Sequence, residues 1–239
     1  SALNRFETFA HDSEELLLVD PHRLDVLRRL HLDKVPYGEV LLAVHPRLNL
    51  VAVGSEDEGG RGGGSDIRIV DLDRVQVVRE IDFPLGYVIA DPVRPVIYTN
   101  HFAKNLGVRS HDIRSGNLLA TSPAFGRSDR MTFDAARDEV LATSVETGQV
   151  WRLDAATLKP KLPIDTVLGA RGLAIDAPRD LLLVSSFFTN EVDVIDLKTG
   201  RSLRRYRLGP WMRDILVISD EGVAFVASRY GVYRLHYLR

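Results

Sequence analysis

Short apolar runs, separated by clusters of Gly, Asp, Asn, Ser and Pro, extend along most of the chain. Inside these runs apolar and polar residues alternate, as where Ile67 and Ile69 flank Arg68. A period of two places successive side chains on opposite faces of a β-strand. No helical period is sustained over about ten residues, and the nearest approach, residues 26–32, matches an outer strand of the repeat. The pattern predicts an all-β protein.

The runs recur with a nearly fixed period, and a turn of the form Asp-x-x-Arg marks each repeat. The turns begin 42–46 residues apart, which is close to the roughly 40–45 residues that one blade of a propeller needs. The first turn departs from the form, because His replaces Asp and Arg is displaced by one, and the last is degenerate. The turns are His45-Pro46-Arg47-Leu48, Asp91-Pro92-Val93-Arg94, Asp134-Ala135-Ala136-Arg137, Asp176-Ala177-Pro178-Arg179 and Ser219-Asp220-Glu221-Gly222.

A second marker, an apolar residue followed by Asp at the end of a strand, recurs with the same period. Its one long step lies between Asp20 and Asp71 and contains a Gly-rich insertion, Glu56 to Ser65. We expect this insertion to be a mobile surface loop, because five Gly in ten residues make ordering costly. The marker pairs are Val19-Asp20, Val70-Asp71, Leu153-Asp154 and Ile195-Asp196. The pairs His111-Asp112 and Leu235-His236 lie in the same phase of the repeat but depart from the form.

Each repeat holds four strand-like runs, which we name A to D from the axis outward. Four strands in roughly 40–45 residues, repeated, are typical of a β-propeller, and a solenoid is the alternative. Six C strands predict six blades in a single domain, residues 1–239. The first blade lacks strand A. Three explanations stay open: the ring closes irregularly, residues outside this sequence supply the strand, or the ring has five blades with a few additional strands. Residues 6–10 are either a B strand of the first blade or a closing strand. Since unpaired edges are costly, we expect the N-terminal strand to pair with the C-terminal blade.

The repeat units resemble those of YVTN-type β-propellers and are similar to NHL and WD-type repeats. The likeness rests on runs such as residues 173–176, 182–185 and 192–200, and on Tyr98-Thr99-Asn100, which matches the end of the YVTN motif but lacks its Val. It covers the chain from about Val40 onward. It implies the propeller fold and an extracytoplasmic or surface protein without an assigned reaction. It carries no catalytic residues across.

Composition and charge restrict the function. The 31 basic and 33 acidic residues give a net charge of −2, which disfavours duplex nucleic acid as a partner. No apolar run approaches the roughly 20 residues of a membrane-spanning helix, and no signal peptide is visible. The absence of cysteine excludes thiolate metal sites and thiol nucleophiles. We expect a monomer, and we favour a periplasmic or secreted location over the cytoplasm.

Three arginines precede strand A in consecutive repeats, each a few positions before its turn: Arg130, Arg171 and Arg213. Strand A lines the channel of a propeller, so we predict an electropositive channel mouth that binds a small anion or a protein partner. Trp211 adds a stacking surface beside Arg213. The alternative is that each Arg pairs with a neighbouring Asp and ties the blades together, since Asp129 and Asp214 adjoin two of the arginines.

Three further residues belong to the predicted ligand-binding set. His101 lies in the B-to-C loop of the third repeat, and Tyr37 and Tyr87 lie near the start of strand A in earlier repeats. The seven His have no metal-ligand spacing, so neither a metal nor a cofactor is predicted. The favoured function is a non-enzymatic binding or scaffold propeller. The alternative is a hydrolase of the lactonase kind, with a metal- or His-centred site at the channel mouth.

Overall fold

The computed structural model describes residues 6–10, 15–32, 40–55, 66–83, 86–101 and 106–238. These residues form 22 strands in six antiparallel sheets, which we number sheet 1 to sheet 6 in chain order. The described residues contain no α-helix, and their two 3₁₀ turns cover Ala177–Arg179 and Ser219–Glu221. The all-β prediction is therefore confirmed. No helix in this part of the chain could span a membrane. The insertion Glu56 to Ser65 lies outside the described residues.

Within each sheet, every strand pairs with the next strand along the chain. Sheets 1 and 2 contain β1 (Phe6–Ala10), β2 (Glu15–Val19) and β3 (Val26–His31), then β4 (Val40–His45), β5 (Leu50–Ser55), β6 (Asp66–Asp71) and β7 (Gln76–Asp82). Sheets 3 and 4 contain β8 (Tyr87–Ala90), β9 (Val96–Asn100), β10 (Arg109–Asp112) and β11 (Leu118–Thr121), then β12 (Met131–Asp134), β13 (Glu139–Ser144), β14 (Gln149–Asp154) and β15 (Ile164–Asp165). Sheets 5 and 6 contain β16 (Ala170–Asp176), β17 (Leu181–Ser186), β18 (Glu191–Asp196) and β19 (Arg201–Arg207), then β20 (Met212–Ile218), β21 (Val223–Ser228) and β22 (Gly231–His236).

The four-strand unit is complete in sheets 2 to 5. In the described residues, sheet 1 has strands B, C and D, and sheet 6 has strands A, B and C. The expectation that the N-terminal strand pairs with the C-terminal sheet is wrong. β1 pairs instead with β2, from Phe6 opposite Val19 to Ala10 opposite Glu15. The connection between β1 and β2 is short, and a short connection favours a local hairpin.

The apolar-Asp marker forms the turn between strands C and D. In four of these turns one carboxylate oxygen accepts the backbone N–H groups two and three residues later, over 2.7–3.0 Å. This is the Asx turn, which Asp forms readily. Hydrogen bonds from the backbone N–H groups hold the pKa of Asp196 below its usual value, and the bond from Thr199 contributes more than the bond from Lys198. The four residues are Asp20, Asp71, Asp112 and Asp196.

The Asp-x-x-Arg marker forms the turn between strands A and B. Asp91 accepts the N–H groups of Val93 and Arg94 at 2.8 Å, and Arg94 Nε donates back to its other oxygen at 2.6 Å. His45 replaces Asp in this role, because its Nδ1 accepts the N–H of Arg47 at 3.2 Å. A structural role therefore accounts for this histidine.

The A-to-B turns also join neighbouring sheets. His45 Nε2 lies 2.7 Å from the carbonyl oxygen of Arg94, which ties sheet 2 to sheet 3. Arg137 Nη2 donates to Asp180 at 2.7 Å, and Arg179 Nη1 donates to the carbonyl of Ser219. The repeated turn residues thus act between sheets as well as within each turn.

Contacts divide the chain into two compact units. One comprises residues 1–99 and 109–119, and the other comprises residues 100–108 and 120–239. In the second unit, alternate residues of β17 serve two cores: Leu182 and Val184 pack between sheets 4 and 5, whereas Leu181 and Leu183 pack between sheets 5 and 6. β17 is therefore buried on both faces, which explains the continuous apolar run of residues 181–184.

Candidate binding site

The first strands of sheets 5 and 6 begin with a β-bulge. The register shifts between Ala170 and Leu173 in β16, and between Met212 and Asp214 in β20. The arginines Arg171 and Arg213 lie inside these two bulges. A bulge redirects a side chain away from the regular alternation of a strand, and bulges are common beside functional sites. The two arginines therefore occupy equivalent positions in consecutive repeats.

Arg130 is one residue out of this register. Met131 pairs with Ala142 in sheet 4 as Leu173 pairs with Val184 in sheet 5, so Met131 and Leu173 are equivalent. The residue of sheet 4 that corresponds to Arg171 is consequently Asp129. All three arginines were predicted to lie near the start of strand A, but the sequence could not show which of them are equivalent, because a bulge leaves no signature in the sequence and hides a shift of one residue.

Asp129 binds two of the predicted arginines. Its carboxylate lies 2.9 Å from Arg130 Nη1 and also pairs with Arg171 Nε. The side chains of Asp129 and Arg130 are only 2% and 3% exposed, respectively. Thr143 Oγ1 accepts the N–H groups of both residues, at 3.2 and 3.1 Å, which fixes the backbone. The alternative interpretation, in which an arginine pairs with a neighbouring Asp, therefore holds for Arg130 and Arg171, which share the carboxylate of Asp129.

Arg213 differs from the other two arginines. Its side chain is exposed and makes no ion pair within the described part of the chain. It lines a cavity of about 470 Å³ together with Phe187, Trp211 and Arg229. We call this cavity the arginine–aromatic pocket. Its volume lies within the range of small-molecule sites, roughly 300–1,000 Å³.

A series of ring and guanidinium contacts forms the wall of the pocket. The guanidinium carbon of Arg171 lies 5.2 Å from the ring centre of Phe187. Phe187 stacks on Trp211, with ring centres 6.1 Å apart and planes inclined by 10°. Arg229 lies 4.7 Å from the Trp211 ring, and Tyr230 packs against the same ring at 6.1 Å. Cation–π contacts hold guanidiniums in place without neutralising them.

The connections that carry these rings are fixed by serines at the ends of strands B. Ser186 Oγ donates to the carbonyl of Leu168 at 2.6 Å and accepts the N–H groups of Phe188 and Thr189, at 3.1 and 2.8 Å. Ser228 Oγ, at the equivalent position of the next repeat, accepts the N–H of Tyr230 at 3.0 Å. Such side-chain bonds to the backbone define tight turns. Ser186 therefore fixes the connection that carries Phe187.

Trp211 has an unusual backbone conformation. Its φ is +57°, a left-handed value that is uncommon for a bulky residue. Three residues further on, β20 lies close to β16, because a Cβ on Gly172 would lie 3.1 Å from the Cα of Asp214. Backbone held in sparsely populated regions is found at ligand sites, where the surroundings maintain it.

Tyr87 and His101, two of the three other predicted residues, do not line the pocket. Tyr87 is the half-buried first residue of β8, in the first unit. His101 directly follows β9 and is buried, beside Asn100, whose Nδ2 donates to Ser128 Oγ at 2.8 Å. Tyr37 lies outside the described residues. In the described part of the chain, no group of three or more His, Cys, Asp and Glu side chains could hold a metal ion.

Sequence reasoning missed three contributors to the site: Phe187, Arg229 and Tyr230. A signal was available, because Phe187 and Arg229 each directly follow a B-strand serine in consecutive repeats. The repeat therefore marks both residues as occupants of equivalent B-to-C loops. The repeat does not reveal that Phe187 stacks on Trp211, because Trp211 lies in a different connection, between β19 and β20.

Comparison with known proteins informs the fold alone. No family model matches the chain, and no curated protein matches it. Solved structures do match it, 1360 chains in all. One is the crystal structure of a computationally designed protein named Ika8, which superposes with a TM-score of 0.71 at 14% sequence identity over 98% of this chain and 68% of that one.

Proposed function

We propose that this protein is a non-enzymatic binding protein that captures a small anionic ligand in the arginine–aromatic pocket. The observation that carries the proposal is Arg213, an exposed guanidinium without an ion pair among the described residues, in the wall of a cavity of about 470 Å³. Arginine stays protonated at any relevant pH and binds oxyanions through forked hydrogen bonds. The cavity supplies room for a ligand beside that fork.

The charge balance around the pocket supports an anion. Asp129 is shared by Arg130 and Arg171, so one carboxylate faces two cations there. Arg213 and Arg229 bring two further positive charges, and no ion pair opposes Arg229 in the described residues. Charges of one sign in a concave site focus the field and attract ligands of opposite charge. This local surplus contrasts with the net charge of −2 for the whole chain.

We further propose that the six sheets are the blades of a six-bladed β-propeller. The near-constant repeat, the sequential pairing of strands in each sheet, and the serial stacking of sheets 4, 5 and 6 through shared cores support this arrangement. The pocket would then open on the face that carries the D-to-A and B-to-C connections. A crystal structure with the sheets arranged around one axis tests the proposal, and a solenoid would contradict it.

The ligand proposal is tested by titrating the protein calorimetrically with benzoate, phenyl phosphate and the uncharged benzyl alcohol. At least one of the two anions should bind, and the alcohol should bind more weakly. Arg213→Ala should weaken anion binding about tenfold or more, since hydrogen bonds to charged groups contribute about 1.5–3 kcal/mol. Binding should also weaken as salt is raised.

Arg201→Ala is the matched control, because Arg201 is also exposed but lies on β19, outside the set that lines the pocket. This variant should bind as the wild type does. Equal losses in Arg201→Ala and Arg213→Ala would show general charge attraction and contradict a specific site. Thermal melting of both variants checks that the fold survives.

A further inference from the structure

The residues equivalent to the two bulged arginines differ in charge from one sheet to the next. The equivalent residues are Asp129 in sheet 4, Arg171 in sheet 5 and Arg213 in sheet 6. Between sheets 4 and 5 the two side chains have opposite charges and pair directly. At the next step both side chains are cations, and the described residues provide no carboxylate for Arg213. Within the described residues, Arg171 therefore has a carboxylate partner from the neighbouring repeat, whereas the equivalent Arg213 has none.

The two neighbouring arginines belong to closely packed strands. The Cβ that Gly172 lacks would lie only 3.2 Å from the carbonyl oxygen of Arg213, so β16 and β20 approach closely at this point. Phe187 contacts the Arg171 guanidinium and lines the same pocket as Arg213. A group bound to Arg213 is therefore flanked by aromatic rings. An anion with an apolar or aromatic body matches these surroundings.

We propose that the ligand is an organic carboxylate whose carboxyl group binds Arg213 as Asp129 binds Arg171, with an aromatic or apolar body against Phe187 and Trp211. This inference rests on the proposed function of the pocket and names its ligand class. The Arg213 guanidinium presents a fork of donors that suits a monoanionic carboxylate, whereas Arg229, the other arginine that lines the pocket, lies over the Trp211 ring. A dianionic phosphate of the same body has more charge to desolvate and needs further donors.

The first test uses the wild-type protein with benzoate and phenyl phosphate, which share the aromatic ring and differ in the anionic group. Benzoate should bind at about millimolar Kd, as expected for a ligand of this size, and more tightly than phenyl phosphate. If phenyl phosphate binds more tightly and depends on Arg213, the proposed function stands and the carboxylate inference is overturned. If neither anion depends on Arg213, the proposed function itself fails.

The second test supplies the missing carboxylate from the chain. Arg171→Asp recreates between sheets 5 and 6 the order of charges that the protein has between sheets 4 and 5, and it leaves Asp129 paired with Arg130. The introduced carboxylate should occupy Arg213 and reduce benzoate affinity at least about tenfold. Arg171→Gln removes the same positive charge without adding a carboxylate, so it is the reference for Arg171→Asp, which should bind benzoate at least about tenfold more weakly than Arg171→Gln does.

Equal benzoate affinities for the two Arg171 variants, both folded by circular dichroism, would overturn the inference. Where Arg171→Asp fails to fold, competition between sodium acetate and benzoate in the wild-type protein decides. Acetate should displace benzoate at concentrations where sodium chloride of equal ionic strength does not. Equal displacement by the two salts would show that the pocket does not recognise the carboxyl group.

Discussion

At the scale of single residues, whether the charge of an arginine is neutralised depends on which carboxylate the fold brings to it. Arg130 and Arg171 lie one position closer together in the sequence than Arg171 and Arg213, and this difference of one changes their roles. Sequence analysis could predict that arginines gather before strand A. It could not predict that Asp129 takes the equivalent position in sheet 4, because the decisive bulges depend on strand pairing.

Asp129 provides a prediction on stability. Asp129→Asn removes the carboxylate that pairs with the buried Arg130 and with Arg171 while retaining the shape of the side chain. Removing one partner of a buried ion pair typically costs about 3–5 kcal/mol, so the free energy of unfolding should fall by about that much in denaturant titrations. Asp220→Asn, at an exposed position of a 3₁₀ turn, should change it by less than about 0.5 kcal/mol. Equal effects would contradict a stabilising role for Asp129.

At the scale of strands and turns, the sequence markers correspond to physical devices. The apolar-Asp pairs predicted the C-to-D turns because Asp accepts the N–H groups of the turn. The Asp-x-x-Arg marker predicted the A-to-B turns because its Asp accepts turn N–H groups in the same way. The aromatic stack between Phe187 and Trp211 could not be predicted in this way. It joins residues of two different connections, and no repeat period relates them.

The serines that end strands B support a second prediction. Ser186→Ala removes one donated and two accepted hydrogen bonds from the connection that carries Phe187. Buried groups left without partners cost about 1–3 kcal/mol each, so this variant should be destabilised by at least that amount and should bind benzoate more weakly. Ser228→Ala removes the single bond to Tyr230 N–H and should cost less. The opposite order of stabilities, measured by thermal melting, would contradict this account.

At the scale of the whole molecule, sheets 5 and 6 are tied by a buried bond between two titratable groups. The hydroxyl of Tyr237, just after β22, donates to Asp176 Oδ2 at 2.7 Å. Burial and then this bond to Asp176 raise the pKa of Tyr237 well above its ordinary value. Burial alone would raise the pKa of Asp176, but hydrogen bonds from Tyr237, Ser219 and Arg179 bring it below its ordinary value. Stability should therefore fall at both ends of the pH range.

The alkaline end provides the sharper prediction. Because the pKa of Tyr237 is raised in the folded state, its contribution is complete below the unfolded value of about 10 and is lost as the pH rises through the folded value. Tyr237→Phe removes this titration, so the free energy of unfolding should be lower than that of the wild type at pH 7 and should decline less between about pH 10 and 12. The bond to Asp176 is absent from the variant at every pH, which accounts for the loss at pH 7. Tyr230→Phe is the control, because Tyr230 is 68% exposed, and it should retain the alkaline decline of the wild type. Parallel alkaline profiles for Tyr237→Phe and the wild type, measured by urea unfolding, would falsify the assignment of this pH dependence to the Tyr237–Asp176 bond.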